Sequence, residues 1–164
     1  MSLISNIQQK QRINSGGSID RSSTINFKFD GKPLTGYRGD TLASALLANN
    51  IKLVARSFKY HRPRGIFSAG TEEPNALVTL RTGSREEPNT RATNIELFEG
   101  LEAKSQNRWP NLFFDFMQIN NLASPLLPAG FYYKTFMGIP GWHFYEHFIR
   151  KAAGMGSTKL NKDP

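Results

Sequence analysis

At 164 residues the chain has room for one domain of ordinary size plus extensions, and its 12 Phe, 5 Tyr and 2 Trp can furnish a core. Lys and Arg number 21 against 13 Asp and Glu, a net charge of +8 that favours anionic partners or an acidic neighbouring subunit and says nothing about fold. Cysteine is absent, which excludes disulfides, thiolate metal sites and a cysteine nucleophile together. The opening MSLISNIQQKQRINSGGS lacks a basic segment followed by an apolar run, and no apolar window of about 18 residues occurs anywhere. A cytoplasmic protein with no membrane partner is the expectation.

Residues 1–22 are polar, rich in Ser, Gln and Asn, and read as a flexible lead-in. TINFKFDGKPLTGY (24–37) predicts a β-hairpin: Ile25, Phe27 and Phe29 alternate with polar residues, and Asp30-Gly31 suits a type I′ turn. Asp40 is placed to cap a helix through TLASALLANN, whose Leu42, Ala45 and Leu46 share one face and whose Asn49-Asn50 suits its end. Further strands are expected in LVARSF (53–58), ALVTLR (76–81) and, last, within TRATNIEL (90–97). Hairpin, helix and more strands in that order predict an α+β fold of β-grasp type over residues 23–100.

Residues 101–156 differ in character. SQNRWPNLFFDFMQINNLASPLLPAGFYYKTFMGIP carries many aromatics, four prolines and little periodicity, the composition of a segment that buries its rings on another surface. A short helix is expected from Trp142, with Phe144, His147 and Phe148 at helical spacing, and 157–164 reads as a linker to a downstream domain. Packing of residues 131–148 back onto the sheet is the alternative to docking.

RSFKYHRPRG (56–65) concentrates Arg56, Lys59, Arg62 and Arg64 around Phe58, Tyr60 and His61, and no acidic residue occurs from Thr41 to Thr71. A solvated face or an internal ion-pair network is the plainest account. Nucleic acid is a second, since basic side chains interleaved with aromatics can track a phosphate backbone. The run is short, however, contains Pro63, and is flanked by no recognised nucleic-acid motif. His61 shows no Ser, Asp or Glu pairing that would make it a catalytic base. His143 and His147 stand at metal-binding spacing with Glu146 between them, but no third ligand is suggested, so no metal is expected. The pairs Glu72-Glu73 and Glu86-Glu87 fall in expected loops and read as solvent-facing.

RSFKYHRPRG, SAGTEEPNALV, LPAGFYYKTFM (127–137) and IRKAAGMG together resemble the N-terminal region of the alpha subunit of heterotetrameric sarcosine oxidase, in order and from about Thr24 to about Gly156. That resemblance implies a flavin amine oxidoreductase that converts sarcosine, oxygen and water to glycine, formaldehyde and hydrogen peroxide, with tetrahydrofolate able to accept the one-carbon unit. It further implies FAD, FMN and NAD in the parent complex, beta, gamma and delta subunits, and dinucleotide- and folate-binding domains in the rest of the alpha chain. The 164 residues alone are expected to be inactive and to contribute no catalytic residue. The alternatives are a stand-alone nucleic-acid-binding module or a subunit of a related N-methyl amine or opine dehydrogenase.

On this resemblance the basic loop faces a flavin at a subunit interface. Arg56, Ser57, Lys59, Tyr60, His61, Arg62, Arg64 and Gly65 are the expected contacts to the FMN phosphate or ring edge. The β-grasp order is also similar to [2Fe-2S] ferredoxin-like domains of related dehydrogenases, whose ligands follow C-x4-C-x2-C with a fourth Cys farther on. That spacing sets Ser68, Glu73 and Ala76 at the first three positions and Thr93 at the fourth, none of which supplies a thiolate. A β-grasp scaffold without its iron–sulfur cluster is the expectation.

Overall fold

The computed structural model describes residue 9 and residues 11–126 and 136–155. The expected lead-in (1–22), the LPAGFYYKTFM motif and the linker (157–164) therefore lie wholly or partly outside the described residues.

The first hairpin joins β1 (Asp20–Phe29) to β2 (Lys32–Arg38) in antiparallel register. Ile25, Phe27 and Phe29 point into the core while Asn26 and Lys28 face out, so the two-residue period sets the buried face. Asp30 and Gly31 both adopt left-handed φ, 50° and 77°, the geometry of a type I′ turn. Asp30 also fastens the turn to the neighbouring strand: its carboxylate accepts from Ser105 N (2.9 Å), Ser105 Oγ (2.6 Å) and Arg108 (2.9 Å).

α1 (Leu42–Ala48) follows and buries Leu42, Ala43, Ala45, Leu46 and Ala48 against the sheet. Its cap differs from the expectation. Thr41 caps it in a reciprocal box: Ser44 N donates to Thr41 Oγ1 (3.2 Å), and Thr41 N donates to Ser44 Oγ (3.0 Å). Asp40 instead turns inward, 1% exposed, and accepts from Tyr37 N (2.9 Å), Ser44 Oγ (2.7 Å) and both arms of Arg12 (3.1 and 2.6 Å). The lead-in thus contributes a structural cation. Gly36 lets β2 approach the helix, because a Cβ there would stand 3.2 Å from that of Ala45 and 2.3 Å from Leu97 Cδ2.

Burial pushes the Asp40 carboxyl up, but the hydrogen bonds from Arg12, Ser44 and Tyr37 outweigh it and the net shift is down. A carboxyl depressed in the folded state adds stability that is complete above its unfolded value, about 4, and lost as pH falls through the folded one. Asp40→Asn is therefore expected to lower stability at pH 7 and to flatten the loss of stability below about pH 4. Urea unfolding across pH checks this.

β5 (Leu77–Leu80) pairs antiparallel with β6 (Glu87–Arg91), and β7 (Leu101–Ser105) completes the five-stranded order β2-β1-β7-β5-β6. β7 runs parallel to β1 and antiparallel to β5, and its Leu101, Ala103 and Ser105 face the core. The result is a mixed sheet with few helices, the α+β arrangement of ferredoxin-like β-grasp domains. Three expectations shift. The strand within 53–58 shrinks to β3 (Ala55–Arg56), which pairs with β4 (Pro63–Arg64) in a separate ribbon. In 90–97 only the first residues are strand, while Ile95 and Leu97 pack as loop residues into the core. The sheet also runs past residue 100, because its central strand is 101–105.

Beyond the sheet, Phe113, Phe114, Ile119 and Leu122 are exposed. The terminal helix α2 (Trp142–Ala152) carries no buried residue and touches the domain where Asn89 donates to Ala153 O (3.1 Å). No helix among the described residues is long and apolar enough to cross a membrane.

Candidate functional site: the basic loop and the adjoining carboxylate loop

β3 and β4 pair Ala55 with Arg64 and Arg56 with Pro63, which brings the ends of the basic loop together. Inside it, Ser57 N donates to Arg62 O (2.9 Å), His61 N to Ser57 O (2.9 Å) and Arg62 N to Ser57 Oγ (3.0 Å). His61 takes a left-handed φ of 51° to close this turn. Gly65 answers to a close backbone approach: a Cβ there would lie 2.7 Å from Lys52 O.

The loop divides into an inner and an outer set. Arg56 is 4% exposed, and its guanidinium donates to Leu112 O (2.9 Å) and His61 O (2.8 Å) and lies 3.4 Å from Asp115. The His61 ring meets the same carboxylate through Nδ1 at 2.7 Å. Asp115 is fixed in turn by Trp109 N (3.2 Å) and Met117 N (3.0 Å). The neutralising acid missing from Thr41 to Thr71 is thus delivered from the aromatic segment 54 residues beyond His61. Arg56 and His61 are internal fastenings of the loop.

Outside, the Arg62 guanidinium lies 4.6 Å and the Lys59 ammonium 4.9 Å from the Tyr60 ring centre. Arg62 also donates to Asn121 Oδ1 (2.8 Å), and Arg64 to Asn75 Oδ1 (2.6 Å). Both side chains belong to exposed residues. A cleft of about 480 Å³ opens beside the ribbon, with Ser57, Phe58, Arg64 and Asn75 among its walls.

Arg64 leads directly to a second loop. Glu73 is fully buried, which overturns the expectation that Glu72 and Glu73 both face solvent. Its Oε2 accepts from Phe67 N (2.7 Å) and Ser68 N (2.5 Å), and its Oε1 from Asn75 N (2.8 Å) and Ala76 N (3.1 Å). Burial raises this carboxyl and the four N–H groups lower it further, leaving it below the usual range. Thr93 Oγ1 donates to Gly70 O (2.8 Å) and ties the loop to the chain after β6. Elsewhere, the His143 side chain is 99% exposed beside Glu146, which itself pairs with Arg150 at 2.7 Å. Among the described residues no three His, Cys, Asp or Glu converge as a metal site.

The sequence pattern of the 2Fe-2S iron–sulfur cluster binding domain matches residues 22–108, just over half of the chain. The chain belongs to that family. Its match reaches past β7, in keeping with a sheet that ends at Ser105. Among similar proteins, sarcosine oxidase subunit alpha of Rhizobium meliloti (strain 1021) is 61% identical over 93% of this chain and 16% of its own length. Sarcosine oxidase subunit alpha of Corynebacterium sp. (strain U-96) is 43% identical over 54% of this chain and 9% of its own length. The chain therefore spans less than a fifth of the relatives it matches. The crystal structure of L-proline dehydrogenase from P. horikoshii aligns at 26% identity and TM-score 0.42 over 57% of this chain and 17% of the dehydrogenase chain, a likeness too partial to carry an argument. The chain is a cysteine-free member of the cluster-binding family and resembles the Rhizobium meliloti sarcosine oxidase alpha subunit over nearly all its length. Ser68, Glu73, Ala76 and Thr93 offer no thiolate, so the family's cluster does not fit this donor set.

Sequence reading sets Glu73 in solvent and does not single out Asp115. Asp115 stands alone among apolar residues in NLFFDFM, and a lone acid in such a run is a candidate for a buried, paired carboxylate.

Proposed function

We propose that the chain is the β-grasp module of a sarcosine oxidase alpha subunit, structural in itself and facing a flavin across a subunit interface. The 61% identity to such a subunit over 93% of the chain carries this reading. The parent complex would demethylate sarcosine oxidatively to glycine in the cytoplasm, releasing hydrogen peroxide with formaldehyde or methylene-tetrahydrofolate. Bound flavins, FAD and FMN, would supply the electron acceptors, with NAD and tetrahydrofolate elsewhere in the complex. The remainder of the alpha subunit and the beta, gamma and delta subunits are the proposed partners.

What the chain's own residues contribute follows from the division of the loop. Arg56, His61 and Asp115 hold the loop's shape from within. Lys59, Arg62 and Arg64 are the cations whose side chains can turn to a phosphate, and Ser57, Tyr60 and Gly65 line their approach. Arg62 would surrender its amide partner Asn121, and Arg64 its partner Asn75, in exchange for a charge-assisted contact.

The double variant Arg62→Ala/Arg64→Ala, made in the assembled complex, is expected to incorporate less of the covalently held FMN and to lower the oxidase rate about 10- to 100-fold, the worth of one or two charge-assisted hydrogen bonds. Total flavin absorbance per complex and the rate of oxygen consumption measure this. Unchanged flavin content and rate would remove the loop from the flavin site.

A further inference from the structure

We infer that the loop Phe67–Ala76 is a cluster loop sealed from within, in which the Glu73 carboxylate occupies the anion's place and the backbone that would face a cluster now binds a side chain. The inference rests on membership of the cluster-binding family and is independent of the flavin reading.

Three observations carry it. Both carboxylate oxygens of Glu73 are spent on backbone donors, and those donors come from both sides of the residue: Phe67 and Ser68 before it, Asn75 and Ala76 after it. A ring of main-chain N–H groups around a buried negative charge is an anion-binding concavity, the kind of environment whose hydrogen bonds also tune the sulfurs of an iron–sulfur cluster. Second, the positions that C-x4-C-x2-C spacing assigns to ligands meet at this place. Ser68 and Ala76 donate their amides to Glu73, and Ala92 N, beside Thr93, donates to Ala76 O (2.9 Å). Third, among the described residues Ser68 Oγ is buried without a hydrogen-bond partner, a polar atom at a former ligand position that the carboxylate leaves unserved. A plain turn needs one or two of these bonds. Four, closed over a fully buried glutamate, make Glu73 the organising centre of the loop.

The arrangement has a chemical consequence. With the carboxylate present the place is taken, and no exogenous anion enters. With the side chain removed, four donors surround a space that suits a small monocarboxylate such as formate.

Amide hydrogen exchange on the full chain tests this, read at Phe67, Ser68, Asn75 and Ala76 with the β1 amides as reference. Glu73→Gln, which keeps size and loses charge, and Glu73→Ala are both expected to exchange at least about tenfold faster at the four loop amides, with β1 unchanged. Formate is expected to restore protection in Glu73→Ala and to leave the parent unaffected. The parent incubated anaerobically with ferric iron, sulfide and thiol is expected to gain no cluster absorption. Unaltered loop exchange in both variants would overturn the inference, as would acceleration spread equally over β1, a failure of formate to protect Glu73→Ala, or cluster absorption in the parent.

Discussion

Asp115→Ala is expected to cost about 3–5 kcal/mol of unfolding free energy, the effect of removing one partner from a buried charge pair. Arg56 is 4% exposed and, among the described residues, would keep its charge against carbonyl and amide oxygens of Leu112, His61 and Gln118. His61 Nδ1 would lose its 2.7 Å contact at the same stroke, as would the amides of Trp109 and Met117. Urea denaturation of parent and variant measures the loss. Asp115→Asn should fall between the two, since it keeps an acceptor and loses the charge. A change below about 1 kcal/mol would mean that the Arg56 carbonyl contacts alone hold the basic loop.

Phe27→Ala should cost a similar amount, about 3–5 kcal/mol, through lost burial and the cavity left behind. Phe27 is 2% exposed and lies on β1 opposite Leu34 of one neighbouring strand and Leu101 of the other, so truncation opens the core between three strands. Phe113, 76% exposed, provides the control: its truncation in the isolated chain should stay within about 0.5 kcal/mol. Thermal or urea unfolding of the pair separates an anchoring ring from an exposed one.

Local signals in the sequence suffice where a single stretch decides the outcome. Asp30-Gly31 and the alternation before it specify the hairpin, and the spacing of Leu42, Ala45 and Leu46 specifies the buried helix face. Asp40 and Thr41 are adjacent and both able to cap, and a cation from residue 12 draws Asp40 inward, which no local pattern announces. β7 escaped because LEAKS is short and holds no β-branched or aromatic residue, so its strand character comes from the neighbours that enclose it. The acid that pairs with Arg56 and His61 escapes for the same reason: it lies far along the chain. Glu73 was set at a ligand position by spacing, yet its burial follows from backbone donors that a sequence of side chains does not display.

The position of β7 bears on how the domain is made. β2 and β1 form one antiparallel hairpin and β5 and β6 another, and β7 is the strand that joins them. During synthesis both hairpins emerge before it, each with an open edge. Closure must then be a single late event, waiting for Leu101–Ser105 to slide between strands laid down long before, and a non-local pairing of that kind folds slowly. Until then the nascent chain exposes two sticky edges, which makes the interval before residue 105 its time of greatest risk of mispairing.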